Sequence, residues 1–298
     1  MDFTEFSGQI LDLLRERNES ADISIRTCSK NNGVQYVGVA IRDAESNMAP
    51  IIYLEPFYSR YLKNDSLLEI VRDIEKLYSQ NKKASLDTSL FLDYENVKEQ
   101  IIAVVINKTR NMELLSKVPN REYIEDIAIT YKILLKGFDD STATVLINNE
   151  LLKNWNVSEE DLFYQAITNN KILCRPVKRG MSEVLVEMMT DKDDEEINML
   201  LDSLVEHMYI ISNACRVQGA SAILDCDFMR ELYEEIGAGF LIPSSLHEML
   251  YIPAERDDDI CTNINTMIQE VNQSQLASEE ILGDNAYYFD GLSYEMIK

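Results

Sequence analysis

The sequence predicts an α+β protein with mixed, largely antiparallel sheets, helices packed on one face of them, and two lobes. Helical and strand-like segments follow one another in no regular βα order, which favours this class over a doubly wound parallel sheet. Hydrophobic residues make up 46% and charged residues 27% of the chain, so it can bury a sizeable core. Because 298 residues are at the upper limit for one core, we expect lobes at residues 1–120 and 121–298.

The first predicted elements are a helix, a hairpin and a short strand. Phe3, Phe6, Ile10 and Leu14 recur at helical spacing, which predicts an amphipathic helix over residues 3–14. Residues 23–27 and 37–41 alternate apolar and polar side chains around the turn dipeptide Asn32-Gly33, the strongest local signal in the chain. Residues 50–55 read as a third strand.

Two helices and an ambiguous stretch follow. Residues 57–63 begin helical structure, and Ser66 is the expected N-cap of a longer helix with one apolar stripe. Residues 90–119 contain the run Ile101-Ile-Ala-Val-Val-Ile, which fits a buried strand or the middle of a helix; we favour a helix that passes into an irregular stretch ending at Pro119.

The rest of the chain alternates short elements. β-Branched residues at 124–135 and 142–147 predict a hairpin, and Ser158 caps a helix that runs to about residue 170. Gly237 should stop another helix. The remaining predictions are helices at 149–155, 226–236 and 260–275, strands at 208–212, 220–224, 240–242 and 246–252, and a final hairpin at 286–289 and 293–297.

Acidic charge is concentrated in the C-terminal part of the chain. The net charge is −24; residues 181–298 carry 25 acidic and 5 basic side chains, a net −20, and residues 1–180 carry only −4. Such a field repels phosphate backbones and anionic lipids, so we expect no direct nucleic-acid binding and no membrane binding. A basic protein would be attracted. The candidate partner surface consists of two acidic runs: Asp191, Asp193, Asp194, Glu195, Glu196, and Asp257, Asp258, Asp259.

The cysteines and the N-terminus predict a cytoplasmic protein. No basic n-region precedes a long apolar segment, and no stretch approaches about 18 uninterrupted apolar residues. The five cysteines are scattered and never form CxxC, which indicates reduced thiols in a reducing compartment.

Only one short segment concentrates groups suited to catalysis. Ser244, Ser245, His247 and Glu248 lie after an apolar strand, which makes an unrecognised hydrolytic site an alternative function. Neighbouring side chains in an extended segment point to opposite faces, however, and no GxSxG motif is present. Local turn and capping roles explain the serines as well.

Metal and nucleotide sites lack their sequence signatures. The chain has two histidines, His207 and His247, and His247-Glu248 is not followed by the second histidine of HExxH. Gly237-Ala-Gly239 follows a helix and enters a strand, the reverse of a phosphate-binding loop. The acidic runs lack EF-hand spacing. We therefore predict no metal and no cofactor, and core packing for Trp155.

Five phrases of the sequence are typical of one protein family. They are Asn47-Met-Ala-Pro-Ile-Ile-Tyr-Leu-Glu, Asn148-Asn-Glu-Leu-Leu-Lys-Asn-Trp-Asn-Val-Ser-Glu-Glu-Asp-Leu, Met181-Ser-Glu-Val-Leu, Pro243-Ser-Ser-Leu-His-Glu-Met-Leu and Glu270-Val-Asn. By these phrases the chain resembles a family of uncharacterised Firmicutes proteins of gut-type Clostridia, classed as a domain of unknown function and often encoded near mobile elements. The resemblance covers about residues 45–290 and implies no activity. Asn156 follows Trp155 where the family pattern has glycine, which bears on helix-turn geometry only.

These observations favour a non-enzymatic interaction or regulatory protein with an acidic C-terminal surface. The mobile-element context that the resemblance implies suggests an accessory protein, with a nucleic-acid-mimicking anti-defence protein as an alternative. Acidity also keeps cytoplasmic proteins soluble, so charge alone does not choose among these functions.

Overall fold

A computed structural model describes residues 1–42, 49–81, 88–136, 142–188, 208–215 and 217–298. They form two compact units, Met1–Ser89 and Leu90–Lys298. Every strand pair in the described parts is antiparallel, and helices accompany each sheet, so the α+β prediction is confirmed. None of the described helices has the length and apolar character needed to cross a membrane.

The first unit contains one three-stranded sheet in the order β1-β2-β3, and its predicted hairpin is confirmed. The turn needs Asn32 and Gly33 because both adopt positive φ, at 59° and 70°. The elements are α1 (Phe3–Arg17), β1 (Asp22–Ser29), β2 (Gln35–Arg42), β3 (Ile51–Tyr53), α2 (Glu55–Tyr61) and α3 (Leu67–Asn81).

Capping residues fix where the two long helices of this unit begin. The Asp2 carboxylate accepts a hydrogen bond from the Glu5 amide at 2.9 Å, and Ser66 and Glu69 form the same reciprocal arrangement before α3. The middle residues of both apolar stripes are buried. The core consists of Phe6, Ile10, Leu14, Ile23, Val39, Ile41, Leu54, Phe57, Ile70, Val71 and Ile74.

The described residues of the second unit form two sheets. One is six-stranded, in the order β13-β12-β10-β11-β9-β8, and in the other β6 pairs with β4, β5 and β7. The elements are α4 (Tyr94–Val97), β4 (Ile101–Asn107), α5 (Met112–Leu115), β5 (Asn120–Ile124), β6 (Ile127–Lys136), β7 (Thr142–Leu146), α6 (Asn149–Trp155), α7 (Glu159–Leu173), β8 (Pro176–Gly180), α8 (Met181–Met188), β9 (Tyr209–Asn213), α9 (Cys226–Ile236), β10 (Gly239–Ser245), β11 (Glu248–Pro253), α10 (Asp258–Ser274), β12 (Tyr287–Phe289) and β13 (Tyr294–Met296).

The preferred helix at the apolar run 101–106 is wrong, because these residues form β4. Every residue of β4 is buried, so the strand shows no alternation of apolar and polar side chains. Its edge away from β6 is hydrogen-bonded by side chains. Asn170 accepts from the Ala103 amide at 3.1 Å and donates to the Ala103 carbonyl at 2.9 Å, and Ser221 accepts from the Val105 amide.

The predicted strand at 220–224 is also wrong, because Gly219–Leu224 is a short 3₁₀ helix. All six residues are buried, and the segment begins with Gln218 in the left-handed region. A Cβ on Gly219 would lie 2.3 Å from the His247 carbonyl oxygen, so the chain needs glycine to pass this close to the neighbouring turn.

The division between the units lies earlier than the predicted boundary after residue 120. β4 pairs with β6 along its whole length, from Ile101 opposite Ile133 to Asn107 opposite Ile127. These hydrogen bonds place residues from Leu90 onward in the second unit.

Candidate functional site

The serine and histidine cluster predicted from the sequence forms the turn between β10 and β11. Ser245 is buried, and its Oγ accepts a hydrogen bond from the His247 amide at 3.0 Å. Ser244 Oγ donates to Glu248 Oε1 at 3.4 Å, a long contact. The His247 side chain is exposed.

Two hydrogen bonds to backbone groups of this turn hold it against neighbouring segments. Ser212 Oγ donates to the His247 carbonyl at 2.8 Å, and the Leu246 amide donates to the Glu280 carbonyl at 2.9 Å. In the described parts of the chain no hydrogen bond joins the imidazole to a serine hydroxyl. The structure therefore brings Ser244 to Glu248 but pairs neither serine with the histidine, and the hydrolytic role stays a prediction.

The predicted acidic surface is described only at its second run. Asp257 is exposed just before α10, and Asp258 and Asp259 are the first residues of that helix, with side chains outside the described part. Among the described residues no group of three His, Cys, Asp or Glu side chains could hold a metal ion. His207 and the run Asp191, Asp193, Asp194, Glu195 and Glu196 lie outside the described residues.

A cleft of about 520 Å³ opens in the second unit between α4 and the junction of α6 with α7. We call it the aromatic–acidic cleft. It is a shallow depression that is open to solvent. The lining residues are Leu92, Asp93, Tyr94, Glu95, Asn154, Trp155, Asn156, Val157 and Asp161.

Two aromatic rings form the apolar part of this cleft. Trp155, the only tryptophan of the chain, is 8% exposed, which confirms its predicted packing role, and its indole N–H donates to the Phe91 carbonyl at 2.8 Å. The Tyr94 ring lies 5.6 Å from the Trp155 ring, tilted by 54°. Asn156 ends α6 with a φ of 55°, a left-handed conformation that glycine or asparagine adopts at low cost.

Three carboxylates form the polar part. Asp93 caps α4 by accepting from the Glu95 amide at 3.1 Å. Asp161 accepts from the Ser158 hydroxyl at 2.6 Å in the first turn of α7, where the helix dipole favours negative charge. Glu95 pairs with Lys98 at 2.7 Å but keeps 69% of its side chain exposed.

The ionisation of Tyr94 reflects these surroundings. Burial is the main reason that the pKa of the Tyr94 hydroxyl is raised. The Lys98 ammonium opposes this shift, and neighbouring carboxylates, among them Asp161 and Glu95, add to it. The phenol therefore stays neutral and remains a hydrogen-bond donor at the edge of an anionic site.

Sequence reasoning missed this cleft because its two walls are distant in the chain. Tyr94 lies in the stretch predicted as irregular or helical, whereas Trp155 and Asn156 end a correctly predicted helix. Asn156, which stands where the family pattern has glycine, indicated a turn at this position but did not indicate a binding site. Only the pairing of β4 with β6 and the packing of α7 on β4 place the walls together.

Comparison with known proteins identifies the family of the chain. No curated protein and no solved structure matches it. A family model described as a family of unknown function, DUF5688, matches residues 3–291. The chain therefore belongs to the DUF5688 family.

Proposed function

We propose that this protein is a non-enzymatic interaction protein whose second unit binds a cationic segment of a partner protein in the aromatic–acidic cleft. The observation that carries the proposal is the lining of the cleft, which among the described residues combines Asp93, Glu95 and Asp161 with two aromatic rings and includes no lysine or arginine. A single charged helix end would not offer this combination.

A lysine or arginine side chain has the chemistry that such a cleft complements. Its aliphatic stem can pack on the half-buried Tyr94 ring, which the buried Trp155 supports, while its charged head reaches the carboxylates at the rim. Arginine fits particularly well because its planar guanidinium stacks on aromatic rings and also binds carboxylates with two hydrogen bonds. The proposed ligand is therefore an arginine-rich or lysine-rich peptide segment.

The charge of the whole chain supports the same kind of partner. Exposed carboxylates such as Glu231 and Glu234 on α9 contribute to the net −20 of residues 181–298. A field of this sign raises the rate at which a basic protein arrives, even where the charges make no direct contact. We propose that the protein acts in the cytoplasm. As an accessory protein of a mobile element, it would bind a basic protein of the host.

The indole N–H of Trp155 reports binding at the cleft, because the chain has one tryptophan. Titration of the ¹⁵N-labelled chain with hexa-arginine should shift the indole cross-peak in a saturable way, and hexaglutamate should leave it in place. The proposal fails if hexa-arginine leaves the indole cross-peak unchanged, whether or not it binds elsewhere.

A further inference from the structure

Two cysteines of the second unit lie side by side. Cys174 ends α7 and Cys215 lies in the turn after β9, and their sulfur atoms are 3.5 Å apart. They are 41 positions apart in the sequence and belong to no cysteine motif, so the fold alone creates the pair.

The antiparallel ladder explains this proximity. Pro176 of β8 is opposite Asn213 of β9, and extending that register by two residues places Cys174 opposite Cys215. Between them the Ala214 amide donates to the Arg175 carbonyl at 2.9 Å. The sulfur atoms must approach by about 1.5 Å to reach the disulfide bond length of about 2.05 Å, a shift that side-chain rotation can supply.

Asn213 holds the turn that carries Cys215. It is buried, its side-chain amide donates to the Val217 carbonyl at 2.9 Å, and its Oδ1 accepts from the Val217 amide at 3.2 Å. The same oxygen lies 3.3 Å from Cys215 Sγ. Because both ends of the turn are fixed, Cys215 stays close to Cys174.

The two thiols differ in accessibility and acidity. Cys174 is buried in a small apolar cluster with Ile102, Val104 and Leu134, whereas Cys215 is half-exposed. The hydrogen bond with Cys174 lowers the pKa of Cys215 to about 6, and the same contact, together with burial, raises the pKa of Cys174. Cys215 is thus the accessible thiolate, and Cys174 the partner that can react with it only inside the protein.

We propose that Cys174 and Cys215 form a reversible redox site that closes to an intramolecular disulfide when it meets a hydroperoxide. The Cys215 thiolate attacks one peroxide oxygen and, with one proton taken up, gives a sulfenic acid and one molecule of water (or an alcohol). The Cys174 sulfur then attacks the Cys215 sulfur, and the hydroxyl leaves as water with the Cys174 proton. Two thiols are oxidised by two electrons in total, and one peroxide bond is reduced.

The reverse step needs a dithiol reductant. Its thiolate attacks the disulfide, forms a mixed disulfide, and is released in oxidised form while both protein thiols are restored. The site is separate from the aromatic–acidic cleft, so it does not depend on the proposed binding function.

The test is treatment of the reduced full-length chain with hydrogen peroxide, followed by non-reducing peptide mapping. We expect a peptide that links Cys174 to Cys215, an intact mass lower by two hydrogen atoms, and recovery of both thiols with dithiothreitol. A matched control, Cys226→Ser, removes an exposed cysteine and should leave this link unchanged.

The variant Cys174→Ser separates the two steps. Without the second thiol, Cys215 should accumulate as a sulfenic acid that dimedone captures. The inference is overturned if the unmodified chain yields no Cys174–Cys215 peptide, whether Cys215 is then oxidised to a sulfinic acid, linked to another cysteine, or left unreacted. Because this outcome is read on the unmodified chain, a folding defect of the variant would not affect it.

Discussion

Asn170 gives the outer edge of β4 the hydrogen bonds that a neighbouring strand would supply. Its amide pairs with both the N–H and the C=O of Ala103, and all four atoms are buried. A strand edge without such partners would leave buried backbone groups unpaired, at a cost of about 1–3 kcal/mol for each group. One asparagine therefore fixes α7 against the sheet.

The variant Asn170→Ala should lower the free energy of unfolding by about 2–4 kcal/mol, because it leaves two buried backbone groups without partners. Urea denaturation measures the change. Ile172→Ala on the same helix is the control, since that side chain is 77% exposed and its loss should change stability by less than about 0.5 kcal/mol. Equal effects of the two variants would contradict the role of Asn170.

The reactivity of Cys215 should depend on pH through its neighbour. The hydrogen bond with Cys174 holds the pKa of Cys215 below the ordinary thiol value, so its alkylation by iodoacetamide should begin to rise at a lower pH than that of an ordinary free thiol. Cys174→Ala removes the hydrogen bond and should move this rise to higher pH. Alkylation rates followed by peptide mass spectrometry test this, and an unchanged profile in the variant would show that Cys174 is not the cause.

The short 3₁₀ helix Gly219–Leu224 is packed closely, with all six residues buried. Its first residue has no room for a side chain, because an added Cβ would lie 2.0 Å from Ser212 Oγ and 2.3 Å from the His247 carbonyl oxygen. Tyr123 and Tyr294 both donate to the carbonyl of Ile223 within it. The segment thus connects both sheets of the unit.

Gly219→Ala should destabilise the second unit by about 2–3 kcal/mol, since backbone atoms must move to admit a methyl group. Gly180→Ala is the matched control because a Cβ there has no contact closer than 3.6 Å. Thermal unfolding of the two variants measures the difference. If Gly219→Ala were as stable as Gly180→Ala, the close packing of this segment would be wrong.

Most elements of this fold can be predicted from local patterns. Ser66, Ser158 and Gly237 mark helix ends in the sequence and in the structure, and Asn32-Gly33 marks the first hairpin. The two errors, at 101–106 and 220–224, have a shared physical cause. Both segments are buried all round, so tertiary contacts rather than periodicity decide between helix and strand.

At the scale of the whole molecule, the composition predicts which kind of partner is attracted but not where on the protein it binds. The net charge of −24 would attract basic ligands in general, whereas the cleft that we propose as their site combines residues from α4, α6 and α7. Tyr94 and Trp155 are distant in the sequence and come into contact only in the folded chain. A single sequence does not reveal this contact, because neither residue belongs to a recognisable motif.

Binding of hexa-arginine should weaken with salt, because the carboxylates of the cleft face solvent. Screening shortens the range of these charges from about 10 Å at 0.1 M salt to about 3 Å at 1 M. We expect affinity to fall by about tenfold between 50 mM and 500 mM sodium chloride, measured by fluorescence anisotropy of a labelled peptide. Affinity that is independent of salt would point to apolar contacts instead.

The most direct measurement compares two double variants of equal charge for hexa-arginine binding. Glu95→Gln/Asp161→Asn removes two carboxylates that line the cleft, and Glu99→Gln/Glu160→Gln removes two neighbouring exposed carboxylates that do not. Two exposed charge contacts are worth about 1 kcal/mol together, so the first variant should bind about fivefold more weakly than the second. Equal affinities would mean that net charge alone attracts the peptide and that the cleft is not its site.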